Sequence, residues 1–155
     1  MKRNKNLLEL SRDHHHGLLL GWKIKQGLKR NVALDTIADY VVYFSQKALF
    51  PHFDEEESQV LAFLDTNDEY YRRTKTEHDE LRNLVASIDQ NVLADEILLL
   101  DLAEKLEAHI RFEEREMFPY IENTLSPEQL EQMGKLIADQ HQPYIEDYPH
   151  EFWAR

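Results

Sequence analysis

The chain has 155 residues, with 18 Lys and Arg against 30 Asp and Glu for a formal net charge of −12, and it contains eight histidines and no cysteine. That length suits one domain whose core needs no staples. The missing cysteine excludes disulfides, thiolate metal sites and cysteine nucleophiles, and the acidity argues against nucleic acid and anionic membrane as partners.

No apolar run reaches the ~18 residues of a membrane span, and Met1 to Asn6 leads into an amphipathic pattern, not a signal-peptide core. The expectation is a single cytoplasmic domain over residues 1–155. The first predicted helix runs from about Asn4 to Lys29. At roughly 100° per residue, Leu7, Leu10, Leu18 and Gly21 fall within about 40° of His14, and Gly27 to Asn31 marks its end. The second begins near Leu34 with Asp35 as its cap and continues to about Leu64. Val41, Ala48, Glu56 and Phe63 share the face of His52, and Pro51 inside it is expected to remove a backbone bond and bend the helix. Asp65 to Asp68 is a turn cluster with capping residues.

The third helix, about Asp68 to Ile88, carries Tyr71, Leu81 and Val85 near the face of His78, and Asp89-Gln90-Asn91 breaks it. The fourth runs from about Val92 to Phe118 with Leu98, Leu102, Glu113 and Tyr120 near the face of His109, and Pro119 bends or ends it. Ser126, Pro127 and Gln129 form a capping box that opens a short fifth helix ending at Gln142-Pro143; the tail from Tyr144 packs irregularly or frays. Trp22 and Trp153 read as packing residues and His150 as surface. The fold class is all-α: an up-down-up-down four-helix bundle over about residues 4–120, with a short C-terminal helix and tail over 126–155.

His52 and Glu56 stand four residues apart, which places them one above the other on a helix face. His109 and Glu113 repeat the spacing on another helix. Antiparallel neighbours are level when they lie equally far from the connecting turn. By that measure His14, His52, His78 and His109 fall into one layer to within about a helical turn at ~1.5 Å per residue, with Glu56 and Glu113 a turn away. A bundle interior does not take six ionisable groups in one layer uncompensated. Four imidazoles and two carboxylates suit two first-row cations that share bridging carboxylates, iron before manganese or zinc. His15 and His16 point away from the leucine stripe and read as surface or supporting groups. Glu55, Glu57, Glu114 and Glu116 read as solvated, and Tyr71 and Tyr120 as core residues near the site. His141 lies on an apolar face with Leu130, Met133 and Ile137 and reads as a structural residue, with a fifth ligand or an entrance gate as the alternatives.

The set His14, His52-x3-Glu56, His78 and His109-x3-Glu113 resembles the hemerythrin-like (HHE cation-binding) family. The segments around Leu10-Ser-Arg-Asp-His14, Pro51-His52-Phe53-Asp-Glu-Glu56, Glu77-His78-Asp-Glu-Leu81 and His109 to Pro119 look like its signatures, over about residues 7–120. The resemblance implies two irons with an oxo or hydroxo bridge, Glu56 and Glu113 spanning them and the histidines divided two to each. Oxygen-carrying members place a further histidine one turn before the third-helix residue, where this sequence has Thr74. The resemblance therefore points to the symmetric branch associated with sensing, nitric oxide or peroxide chemistry and iron handling, with a diatomic gas or peroxide as partner. The alternatives are a di-iron redox or iron-centre repair enzyme, the latter weakened by the lack of cysteine, and a zinc-bound or metal-free interaction bundle.

Overall fold

In a computed structural model that describes residues 2–91 and 95–154, every regular element among the described residues is helical. Five helices follow one another: α1 (Leu8–Lys29), α2 (34–63), α3 (Glu69–Gln90), α4 (96–124) and α5 (Pro127–Gln140). Helix α1 packs on α2 and α4, and α3 packs on the same two, so the first four form a closed bundle. No helix among the described residues is long and apolar enough to cross a membrane.

Helix α1 begins at Leu8, after turns over 5–7 and later than the expected Asn4, and closes through Asn31 in the left-handed conformation at φ 58°, which Asn tolerates at a helix end. Leu18 is a correction. It is 43% exposed, because the buried face is centred on Leu10, His14, Gly17, Gly21 and Ile24 and leaves Leu18 about 90° from the centre. Trp22 is about half exposed for the same reason. Asp35 is not the cap of α2. Ala33 holds that position without a side-chain bond, and Asp35 sits in the first turn, where its charge faces the helix dipole. The caps of α3 and α5 are as read: Asp68 accepts from the Tyr70 and Tyr71 amides, and Ser126 with Gln129 closes a capping box. Helix α4 starts at Glu96 with Asp95 accepting from Ile97 N–H; the expected start at Val92 lies outside the described residues.

Neither internal proline breaks its helix. Pro51 follows a π-helical turn, Ser45–Leu49, and Pro119 follows another, Glu113–Met117. The wider turn gives the ring room where an α-helical carbonyl would clash. Helix α4 consequently continues past Phe118 to Thr124. A third π-helical turn, Glu56–Val60, follows His52. Two of these turns start on the glutamates of the His-x3-Glu pairs.

The apolar core is split in two. One cluster gathers Leu20, Ile24, Tyr40, Val41, Leu99 and Leu102 and is closed by Phe152 and Trp153 of the tail. The other gathers Leu10, Val60, Phe118 and Ile121 and is covered by Leu130, Met133 and Ile137 of α5. Between them lies a layer of buried polar residues. The tail follows the irregular course expected and is pinned by Lys23, whose ammonium donates to Glu146 at 2.6 Å and to the Tyr40 hydroxyl at 2.9 Å, and sits 4.0 Å from the Trp153 ring.

Candidate metal centre

Each bundle helix sends at least one polar side chain into the layer between the apolar clusters: His14 from α1, His52 and Glu56 from α2, His78 from α3, and His109 and Glu113 from α4. All six are buried, and His78, Glu56 and Glu113 have no solvent exposure. Gly17 lets α1 and α4 approach here; a Cβ at that position would stand 2.7 Å from Ile110 Cδ1.

The imidazole Nε2 atoms face the two carboxylates. Glu113 lies 2.8 Å from His14, 3.0 Å from His109 and 3.4 Å from His78. Glu56 lies 3.0 Å from His78 and 3.3 Å from His52. The donors fall into two tetrads, His14-His52-Glu56-Glu113 and Glu56-His78-His109-Glu113, each with its ligand atoms within 4.8 Å of one another. Both tetrads use the same two glutamates.

The other ring nitrogen of every histidine meets a carboxylate that the sequence reading did not place there. Nδ1 of His14 donates to Glu114 at 2.6 Å, His52 to Asp13 at 2.9 Å, His78 to Glu57 at 2.8 Å and His109 to Glu77 at 2.7 Å. Glu57 and Glu114 are therefore not the solvated charges expected of them. The four pairs form a ring: Asp13 of α1 holds the α2 histidine, Glu57 of α2 the α3 histidine, Glu77 of α3 the α4 histidine, and Glu114 of α4 the α1 histidine. A carboxylate at Nδ1 keeps the proton there and leaves the Nε2 lone pair aimed inward. A signal was available in the sequence, since each of these acids is the immediate neighbour of one of the six inner residues.

The outer acids are themselves gripped. Glu114 accepts from Ser11 and Arg3, Glu57 from Arg82, Glu77 from Arg73, and Asp13 stands 3.3 Å from His141. Aromatic rings fix the imidazole planes: Phe53 stacks on His78 at 4.1 Å and Phe118 on His14 at 5.5 Å.

Without a cation this density of carboxylate forces protons onto the rings. Burial works against a charged imidazole at His14, but bonds to Glu113 and Glu114 outweigh it and lift its pKa to about 9. Burial is outweighed at His78 likewise, by Glu113, Glu56 and Glu57, to about 10. His52 and His109 are raised as well, while Glu113 is held well below the usual carboxylate range by the imidazoles around it. Protons do not complete the site. Both oxygens of Glu56, Nε2 of His52 and Nε2 of His109 are buried without a hydrogen-bond partner. Such orphaned atoms are costly, and a cation in each tetrad would satisfy all of them. The donor set of imidazole nitrogens and carboxylate oxygens fits first-row transition metals.

The remaining candidates are placed differently. His15 is exposed and His16 half-buried. Glu55 pairs with His141 at 2.9 Å. Tyr120 donates to Asp68 and stacks on Tyr70, away from the tetrads. Thr74 is fully buried one turn before His78, and its hydroxyl has no partner. A cavity of about 340 Å³ ends on His14, His52 and His109, and its wall includes Asp13, Glu55, Gln59 and His141.

The family model for the hemerythrin HHE cation-binding domain matches residues 6–121, the span that contains all six inner and all four outer residues. No curated protein and no solved structure matches the chain.

Proposed function

Since the chain belongs to the hemerythrin HHE cation-binding domain family, we propose that it is a non-haem di-iron protein that binds or senses a small oxidant or gas. In this reading His14 and His52 would hold one ion, His78 and His109 would hold the other, and Glu56 and Glu113 would serve both. The observation that carries it is the pair of buried tetrads sharing both glutamates, with four of their polar atoms unpartnered. Two irons would supply one-electron chemistry and an exchangeable coordination position for oxygen, nitric oxide or peroxide. The protein's own part is to fix the donors: the outer acids orient the imidazoles, Phe53 and Phe118 hold two ring planes, and the cavity gives a small ligand a path to His52.

The up-down-up-down course belongs to the same proposal. It is supported by the order of contacts along α1, where His14 meets Glu113, Gly17 meets Ile110 and Gly21 meets Ala103, partner numbers falling as α1 advances.

Metal analysis with an optical spectrum of the reconstituted protein tests the reading. About two irons per chain with near-ultraviolet oxo-bridge bands are expected of this donor set; fewer than one iron, or zinc retained in its place, would sink it. A His52→Ala, His109→Ala double variant should lose metal and melt earlier, because the remaining donors become buried and unpaired.

A further inference from the structure

The cavity that ends on His14, His52 and His109 is larger than a gas needs. At about 340 Å³ it falls in the ~300–1,000 Å³ range of sites that hold small organic molecules. A diatomic needs little more than the ~30 Å³ share of one water. Burial gives the cavity its depth. Phe53, Leu106 and Ile110 are buried wall residues beside the histidines, the Phe53 ring 5.9 Å from that of His109, while Lys47, Pro51 and Ser58 are exposed at the mouth. Three consecutive wall residues, Lys47, Ala48 and Leu49, come from the π-helical turn Ser45–Leu49, a distortion frequent at functional sites.

The carboxylates and the ammonium group of this wall are matched with one exception. Asp13 accepts from His52 and stands beside His141, Glu55 pairs with His141, and Asp54 accepts from Arg82. Lys47 has no carboxylate partner among the described residues. A cavity that is apolar within and carries one unmatched cation at its mouth suits an amphipathic anion. Its inner end already holds Asp13 behind His52, with Glu56 and Glu113 beyond. A further carboxylate is repelled there and belongs at Lys47. Resting on the di-iron reading, and deepening it, we propose that the cavity binds an organic monocarboxylate with an aliphatic or small aromatic body. The carboxylate lies at Lys47, the body lies against Phe53, Leu106 and Ile110, and the bound acid closes the path of a gas or peroxide to His52. The net charge of −12 opposes anions at long range, so binding needs the apolar body and Lys47 together. The bland alternative is a water-filled vestibule with a solvated lysine on its rim.

Calorimetric titration of the metal-free protein with octanoate, octanamide and acetate separates the two. Octanoate should bind once per chain and shift the NMR signals of the Ala48 and Ile110 methyl groups. Octanamide should bind about tenfold more weakly, the scale of one charge-assisted contact, and acetate should not bind measurably. Lys47→Glu, on an exposed side chain, should weaken octanoate by about tenfold or more and leave octanamide unchanged. Ala48→Phe should abolish binding of both by filling the cavity, and Lys47→Glu stands alone if that variant unfolds. Both variants should still take up iron, and in the loaded wild type saturating octanoate should suppress the optical response to azide. Octanoate bound at Ala48 in a protein that takes up no iron would leave the acid site standing and the di-iron reading refuted. No octanoate binding, equal binding of octanoate and octanamide, or an octanoate affinity unchanged in Lys47→Glu would overturn the acid site. An azide response untouched by saturating octanoate would overturn the closure.

Discussion

The two tetrads share their glutamates and differ in nearly everything around them. His14 and His52 both line the cavity, and the acids behind them, Glu114 and Asp13, are gripped by Ser11 with Arg3 and by His141. Of the other pair only His109 reaches the cavity. His78 is sealed under Phe53, and the acids behind the pair, Glu57 and Glu77, are each held by an arginine, Arg82 and Arg73. Arg82 also lies 5.4 Å from the Phe53 ring, so the same side chain supports the acid and the lid over His78. One half is thus closed, with an arginine behind each of its acids, and the other is open, with an arginine behind Glu114 and a histidine behind Asp13. An identical set of donor types can serve holding on one side and exchange on the other, because the surroundings set access.

The sharpest way to break that comparison is to remove one histidine from each half. His78→Ala should cost the more, roughly 3–5 kcal/mol in the metal-free protein, because it strands Glu56 in a site with no solvent. His52→Ala, beside the cavity where water can replace the ring, should cost about 1–3 kcal/mol. Each variant should keep one ion in place of two. Only His52→Ala should lose the optical response to azide or nitric oxide, since its missing ion is the one with both of its histidines on the cavity. Equal costs and equal ligand responses, read by thermal melts and titration, would mean that the two halves are equivalent and the cavity is incidental.

The layer itself was legible because helical periodicity is a local property. His52 and His109 announce their glutamates by spacing alone, and equal distances from the turns bring His14 and His78 level with them. The outer ring was not legible, because Glu57 and Glu114 point away from their own helix neighbours and find their partners on the next helix. A solvated acid and an acid bonded to a histidine of another helix look alike in one dimension. Only their adjacency to inner residues, repeated four times around the bundle, distinguishes them. The π-helical turns had no signature beyond Pro51 and Pro119, whose usual effect is to break a helix. Trp22 and Trp153 show the same limit. Both are large and apolar, but Trp153 finds Tyr40 and Lys23 in the fold, while Trp22 falls on the outer side of α1.

Acidity gives a second contrast, between the metal-free and the loaded centre. In the metal-free protein His14 and His78 have pKa values raised to about 9 and about 10, above the ordinary 6.5. A raised folded-state pKa contributes stability that is fully present below 6.5 and is lost as pH rises through the folded value. The metal-free melting temperature should therefore fall between pH 7 and pH 10, by about 2–8 °C if about one to two kcal/mol are lost in a domain of this size. Loaded protein carries neutral imidazoles, so it should show no such fall and should instead lose metal as acid protonates them. A metal-free melting temperature that holds steady or climbs over that range would mean that the carboxylates do not keep the rings charged.

The smallest effect separates orientation from charge in the outer ring. Glu57 is held down to about pKa 2, its burial outweighed by the bonds from His78 and Arg82, so at neutral pH it presents a full negative charge behind His78. In Glu57→Gln the amide oxygen still accepts the Nδ1 proton, so the ring keeps its tautomer and loses only the charge that strengthens it as a donor. Metal affinity should fall by about tenfold, at the low end for such supporting contacts, whereas Glu57→Ala, which also frees the ring to turn, should approach a hundredfold. Glu114→Gln, with Ser11 and Arg3 left to hold the side chain, should produce the smaller loss at His14 and leave the sealed ion bound. Stepwise removal of metal by a chelator reads the two ions apart. If Glu57→Gln and Glu114→Gln release the same ion first, the ring acts on the centre as a whole, and the two halves are one electrostatic unit in spite of their different walls.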